Sequence, residues 1–350
     1  MKTDTLIIGG GLTGLSLANH LAQADHDYLL VEARHRLGGR IKSLTVEGQN
    51  FDLGPSWIWP GQERIFPQLK SLGLSTFQQW SDGDQVFQQP DGQVVRASGF
   101  MSMEGSYRIR GGTTALTDAL AARLDPERCL LGTPATTFSD DPSVTLSDGK
   151  RVAAKRIVVA LPPRLASTLQ YQPPLDDAAL TAMAEIPTWM GAHAKFVAVY
   201  QTPFWRSDGL SGDASSRRGP MVEIHDASPD DATLGALFGF VGVPATVRRE
   251  AGADAVKKAC IAQLAQLFGP QAAHPIATTL EDWSAADFTA TPSDATAPAG
   301  HPHYRKQPIL EGLWNGKLDF AVTELAPDNG GLIEGALAAA EAAAAKILQS

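Results

Sequence analysis

The 350-residue chain carries 29 Lys and Arg against 38 Asp and Glu, a net charge of −9, with 43% hydrophobic and 19% charged residues. That composition is globular rather than disordered, and its acidic balance argues against nucleic acid as the main partner, because a phosphate backbone calls for a basic face. Two cysteines, Cys129 and Cys260, are too few for a disulfide framework or a Cys-based metal site, so a reducing, cytoplasmic setting is expected.

At ~150 residues per domain the length suggests two domains or one large interleaved one. Thr5-Leu6-Ile7-Ile8 is a short apolar run that predicts a buried strand. Gly9-Gly10-Gly11-Leu12-Thr13-Gly14 follows, and residues 15–24 predict a helix with Leu15, Ala18, Leu21 and Ala22 on one face. Tyr28-Leu29-Leu30-Val31 predicts a second strand, ended by Glu32. Residues 41–51 alternate as strand–turn–strand around Glu47-Gly48, and 65–74 read as a helix closed by Gly73. Residues 85–95 read as a hairpin about Pro90-Asp91-Gly92, 112–124 as a helix, and 144–152 as a hairpin about Asp148-Gly149.

Ile157-Val158-Val159-Ala160-Leu161 predicts a separate apolar strand, stopped by Pro162-Pro163. Residues 191–200 alternate as a long strand and 236–243 read as another. Residues 254–268 predict an amphipathic helix with Val256, Cys260, Leu264 and Leu267 inward. The Pro-, Ala-, Thr- and Ser-rich stretch 284–308 reads as a loop within a domain, because strand-like 318–322 follows it. The Ala-rich stretch 335–348, interrupted by Glu341 and Lys346, predicts a packed helix and no membrane span. The start Met1-Lys2-Thr3-Asp4 lacks the pattern of a secretory signal.

The first motif has a physical reason. Gly9 permits the tight strand-to-helix turn, Gly11 lets a pyrophosphate approach the backbone, and Gly14 lets the helix pack close to the strand. The helix N-terminus offers free N–H groups and the positive end of its dipole. Glu32, at the end of the second strand, is placed to accept from a ribose hydroxyl pair. Strand, glycine loop, helix and acid together predict a dinucleotide site. Ala33-Arg34-His35-Arg36-Leu37-Gly38-Gly39-Arg40 then adds two glycines and up to three arginines that could meet the same pyrophosphate, more than a nicotinamide domain needs.

With that stretch the chain resembles the flavin-containing amine oxidases of the monoamine oxidase-like superfamily. The resemblance runs almost end to end. Phe51-Asp52-Leu53-Gly54-Pro55-Ser56-Trp57 is similar to the segment beneath the flavin, Arg110-Gly111-Gly112 to a family Gly-Gly segment before a helix, and 158–163 to the strand that returns to the FAD domain. Residues 190–200 with Pro203-Phe204-Trp205 resemble a substrate-domain strand in which a lysine, here Lys195, holds a water against the reactive flavin nitrogen. From the residues alone, Lys195 is either a half-exposed edge-strand lysine or a functional one, since a buried lysine is costly. Phe320-Ala321-Val322-Thr323-Glu324 and Gly330-Gly331-Leu332-Ile333-Glu334-Gly335-Ala336 resemble the C-terminal FAD signature, in which Glu324 would bind the ribityl chain and a helix from near Leu332 would face the flavin.

The resemblance implies an α/β fold: a Rossmann-like FAD-binding domain (1–75, 110–165 and 270–350) interleaved with a mixed-sheet α+β substrate domain (76–109 and 166–269). It implies that FAD is held by Gly9, Gly11, Leu12, Thr13, Gly14, Glu32, Ala33, Arg34, Gly38, Gly39, Arg40, Gly54, Pro55, Ser56, Trp57, Glu324, Gly331, Leu332 and Ile333, with Lys195 catalytic and no metal. The expected reaction is amine oxidation by hydride transfer to flavin, with molecular oxygen as acceptor and a small-molecule substrate.

Three departures stand out. Val322 replaces the usual glycine before Thr-Glu, and Leu332 and the Thr296–Ala297 region replace two tyrosines that cage the amine. No cysteine lies near Thr296 or Ala297, so FAD is expected to be non-covalent. The missing cage leaves two alternatives to amine oxidation: desaturation of a carbon–carbon bond, or flavin binding without turnover. His301-Pro302-His303 lacks a third metal ligand nearby. Trp57, Trp59, Trp205 and Trp283 could line a pocket, with core burial the first expectation for each, as for both cysteines. At 350 residues the chain is short for the family, lacking a helical segment before Arg110 and a C-terminal membrane helix, which predicts a more open site that a larger substrate or a partner chain could fill.

Overall fold

The computed structural model describes every residue except Phe100, Ala299 and Ser350. Two large sheets organise the chain. The first has eight strands. At its centre Lys2–Ile8 lies parallel to Tyr28–Val31 on one side and to Arg151–Val159 on the other. These strands are buried on both faces, which is why they read as unbroken apolar runs. Ile7, Leu30 and Val158 pack under the helices Leu12–Gln23 and Ile333–Leu348, while Leu6, Val31 and Val159 pack with Phe138, Val144 and Met183 on the opposite face.

The expected separate strand at 157–161 does not exist as such. Arg151–Val159 is one nine-residue strand. Its first half pairs antiparallel with Ser143–Leu146 and its second half parallel with Leu318–Phe320. The hairpin partner ends where the parallel partner begins, so one strand serves both ladders.

The second sheet has seven strands, in the order Ala277–Asp282, Ala194–Tyr200, Gly235–Val241, Met221–Asp226, Leu210–Ser216, Asp84–Gln88, Val94–Ala97. Ala194–Tyr200 is flanked on both sides. Phe196 and Ala198 pack with Val256, Cys260 and Leu264 of the helix Ala253–Phe268, and Val197 and Val199 pack with Phe51 and Leu53 on the other face. Both faces are covered, so all seven residues are buried and the sequence alternation carries no solvent face.

Sheet membership differs from the boundaries drawn on the sequence. Ala277–Asp282 lies in 270–350 yet pairs with the second sheet, and Gln170–Gln172 lies in 166–269 yet pairs with the first. Leu210–Ser216 and Met221–Asp226 escaped the sequence reading because their buried positions include Ser211, Asp213, His225 and Asp226. Among the described residues no helix is long and apolar enough to cross a membrane.

Candidate active site

A cleft of about 970 Å³ runs from the first strand's C-terminal end to the face of the second sheet. Its floor is the glycine loop. Gly38 donates its N–H to Gly10 O at 2.8 Å and bridges Gly11. Gly39 has φ +59, and a Cβ there would stand 3.0 Å from Gly11 Cα, so position 39 disfavours a side chain, whereas a Cβ on Gly11 would make only an ordinary 3.9 Å contact with Gly39 Cα. Gly9, Gly11, Leu12, Thr13, Gly38 and Gly39 all line the cleft. Gly14 lies behind the wall, where a Cβ would fall 1.9 Å from Gly9 O, and there it permits the close strand–helix packing.

Glu32, Ala33 and Arg34 line the far end. Glu32 is buried, accepting from Gly10 N–H at 2.7 Å and from Arg34 N–H at 2.8 Å. A carboxylate has about four acceptor positions, so capacity for a diol remains. The arginines of this stretch also have protein partners. Arg36 donates to Leu37, Gly39 and Ile41 carbonyls. Arg34 donates to Asp287 O and Thr289 Oγ1 and lies over Phe288. Arg40 forms a two-pronged pair with Glu324. These guanidinium groups tie loops together, and Arg34 and Arg40 also line the cleft while Arg36 does not. Glu324, fully buried, is Arg40's counter-ion and is not on the cleft wall.

Gly54, Pro55, Ser56, Trp57, Gly331, Leu332 and Ile333 form the opposite end of the wall. Val322 lines it in extended backbone (φ −155, ψ 152), so no glycine is required there. Two helices, Leu12–Gln23 and Ile333–Leu348, start on the wall without side-chain caps, at Gly11 and Leu332. Their N-terminal N–H groups are the free donors an anion would use. The pair of uncapped helix starts, the side-chain-free glycine floor and the buried acid fit FAD.

Lys195 is 3% exposed and lines the cleft. It donates to Gly54 O at 3.1 Å and Ser56 Oγ at 2.7 Å, and its Nζ lies 3.8 Å from the Phe238 ring centroid. Burial pulls its pKa down to about 7, with Asp52 opposing and nearby Arg108 assisting the drop. It is thus a central-strand lysine, not an edge one.

The wall also holds residues the sequence did not mark. Trp189 packs against His301 with the rings tilted by 57° and their centroids 4.4 Å apart, and both line the cleft with His193. Trp59 and Trp283 are wall residues too, and Trp283 Nε1 donates to Leu53 O; of the four tryptophans assigned to a core, Trp205 alone is remote from the cleft. Cys260 is buried and Cys129 only half-buried; both are unpaired, and neither lines the cleft. Among the described residues no three His, Cys, Asp or Glu side chains gather as metal ligands would.

Across the second sheet, Lys195 stands opposite Phe240, and Phe240 opposite Glu223. The three form one cross-strand row, all on the cleft wall. Two strand spacings of ~4.8 Å separate the Lys195 and Glu223 backbones. Glu223 accepts from Ser102 Oγ at 3.0 Å and contacts His225 Nε2 at 2.9 Å. Its pKa is lowered, chiefly by the His225 hydrogen bond, which outweighs burial.

A family model described as flavin containing amine oxidoreductase matches residues 12–99 and 96–348. Putrescine oxidase from Kocuria rosea is 24% identical over 472 aligned positions, covering 99% of this chain and 95% of that one. The wild-type putrescine oxidase structure bound to putrescine superposes with a TM-score of 0.84 at 22% identity, covering all of both chains. Cyclohexylamine oxidase from Brevibacterium oxydans IH-35A gives 0.84 at 21%, covering 99% of each.

Proposed function

The chain belongs to the flavin-containing amine oxidoreductase family, and from that premise we propose that it oxidises short aliphatic amines bearing a second cationic group, with non-covalently held FAD and molecular oxygen as acceptor. Bound in the cleft, FAD supplies the hydride acceptor for the carbon next to the reacting nitrogen. The residues that would hold it are Gly9, Gly11, Leu12, Thr13, Gly38 and Gly39 at the pyrophosphate, Glu32, Ala33 and Arg34 at the ribose, and Gly54, Pro55, Ser56, Trp57, Gly331, Leu332 and Ile333 about the ring. Arg40, itself on the cleft wall, would also face the cofactor, with Glu324 bracing it from behind. The absence of cysteine from the lining supports a non-covalent cofactor. Two unpaired cysteines support a reducing, cytoplasmic location.

Lys195, half deprotonated near pH 7, would hold a water by donating to it or accepting from it. Gly54 O and Ser56 Oγ fix its direction, and Phe238 keeps bulk water from its other side.

The observation that carries the substrate reading is the row Lys195–Phe240–Glu223. A chain of a few carbons lying over Phe240 would bring one nitrogen toward Lys195 and the other to the Glu223 carboxylate. The putrescine oxidases among its relatives agree with a diamine substrate. The test is Glu223→Gln. The KM for 1,4-diaminobutane should rise at least about tenfold, the worth of one charge-assisted contact, while that for 1-aminopentane stays within about twofold. An equal effect on both amines refutes the anchor.

A further inference from the structure

Behind Glu223 stands a buried pair that the reaction itself does not use. His225, 1% exposed, is flanked by the Trp57 ring at 4.8 Å and the Phe238 ring at 5.4 Å. Its Nδ1 lies 2.9 Å from Asp213 Oδ1 and its Nε2 2.9 Å from Glu223 Oε1. Ionised carboxylates only accept, so with both of them ionised this geometry calls for two donating ring nitrogens, an imidazolium. Burial works against that charge, and the hydrogen bonds to Asp213 and Glu223 outweigh it and raise the His225 pKa. Lys195 Nζ contacts the same Phe238 ring, and the next residue, Asp226, is paired with Arg206.

Asp213 reaches this position by an irregularity. The pairing of Leu210–Ser216 with Asp84–Gln88 shifts between Leu210 and Ala214, and Gly212 in that bulge has φ +87. Asp213 is buried and its Oδ2 finds no donor among the described residues. A carboxylate left half-satisfied in a core is costly unless its one strong contact matters. Meanwhile His225 and Ser102 both donate to Glu223 Oε1, which leaves Oε2 without a protein donor among the described residues.

We propose that His225, braced by Asp213, is a positioning residue that locks the Glu223 carboxylate at one place on the cleft wall and so sets which spacing between two substrate nitrogens is accepted. This rests on Glu223 being the anchor. A freely rotating carboxylate would follow diamines of several lengths; a clamped one favours a single length.

The test compares kcat and KM for 1,3- to 1,6-diaminoalkanes and 1-aminopentane across wild type, Glu223→Gln, Asp213→Asn and His225→Gln holoenzymes. For Asp213→Asn and His225→Gln we expect the KM of the preferred diamine to rise about tenfold. The length preference should flatten, with kcat and the monoamine KM within about twofold. A merely structural role would move the monoamine and the flavin content as well. An unchanged length profile in both variants, beside a flattened one in Glu223→Gln, overturns the clamp and leaves the anchor standing. If Glu223→Gln spares diamines, anchor and clamp both fall. Should the variants not fold, ¹⁵N spectra of the wild-type holoenzyme decide: imidazolium shifts at both His225 nitrogens at pH 7 support the clamp, and a neutral tautomer overturns it.

Discussion

Lys195 carries its function in its burial. Its central strand and two neutral acceptors leave the ammonium form poorly compensated, and that is why its pKa falls to about 7. In the unfolded chain the group titrates near the ordinary lysine value, so the folded state is penalised in full below pH 7 and the penalty fades as pH rises toward that value. Lys195→Met should therefore melt at a higher temperature than wild type at pH 6, an advantage shrinking as pH rises from about 7 toward the ordinary lysine value, offset in part by the Gly54 carbonyl and Ser56 hydroxyl left without a donor. The same substitution should slow flavin reduction or its reoxidation, and remove an inflection near pH 7 from the pH profile. Stopped-flow rates equal to wild type in both half-reactions would remove Lys195 from the mechanism. The sequence marked Lys195 through its flanking residues, but Glu223 and His225 were invisible there. Their role arises from cross-strand register and from a bulge at Gly212, and neither leaves a periodic trace in the residues 210–226.

At the scale of elements, the glycine segments were legible because backbone approach needs a residue type that few other situations demand. The arginines of residues 34–40 were legible as a cluster but their protein partners were not, since charge in a loop says nothing about which partner is nearer. Arg40 illustrates this: Glu324, from the turn before the C-terminal helix, takes both its Nη atoms and pins the glycine loop to that helix's start. Arg40 keeps 24% of its side chain exposed, so removing its counter-ion costs less than the about 3–5 kcal/mol of a fully buried pair. Glu324→Gln should thus lower the melting temperature and weaken FAD retention together, measurable by thermal unfolding and by flavin content after gel filtration; full FAD retention would separate the pair from the cofactor site. Strand membership also argues for domain boundaries other than those drawn on composition: we propose that residues 166–185, whose Met183 and Ala179 pack under the first sheet, go with the cofactor domain, and that Ala277–Asp282 goes with the substrate domain.

The whole molecule is shorter than its relative: 472 aligned positions against 350 residues mean that the Kocuria rosea enzyme carries segments this chain lacks. The cofactor cleft nevertheless keeps contributions from the first strand and its helix, the 53–57 segment, the strand bearing Lys195 and the start of the C-terminal helix. A ligand that touches segments so far apart in sequence binds only when both sheets are in place, so its binding free energy adds to the stability of the entire fold. If FAD is held by these contacts alone, acid treatment should strip all flavin from the chain, and the apoprotein should melt lower than the holoenzyme. Titrating FAD back should raise the melting temperature in one cooperative transition, by an amount that grows with the logarithm of free FAD once the site is saturated. Flavin remaining with the denatured chain would mean a covalent link. Two separate transitions, only one of them FAD-dependent, would mean that the sheets unfold independently and that the cleft is not the joint on which the fold closes.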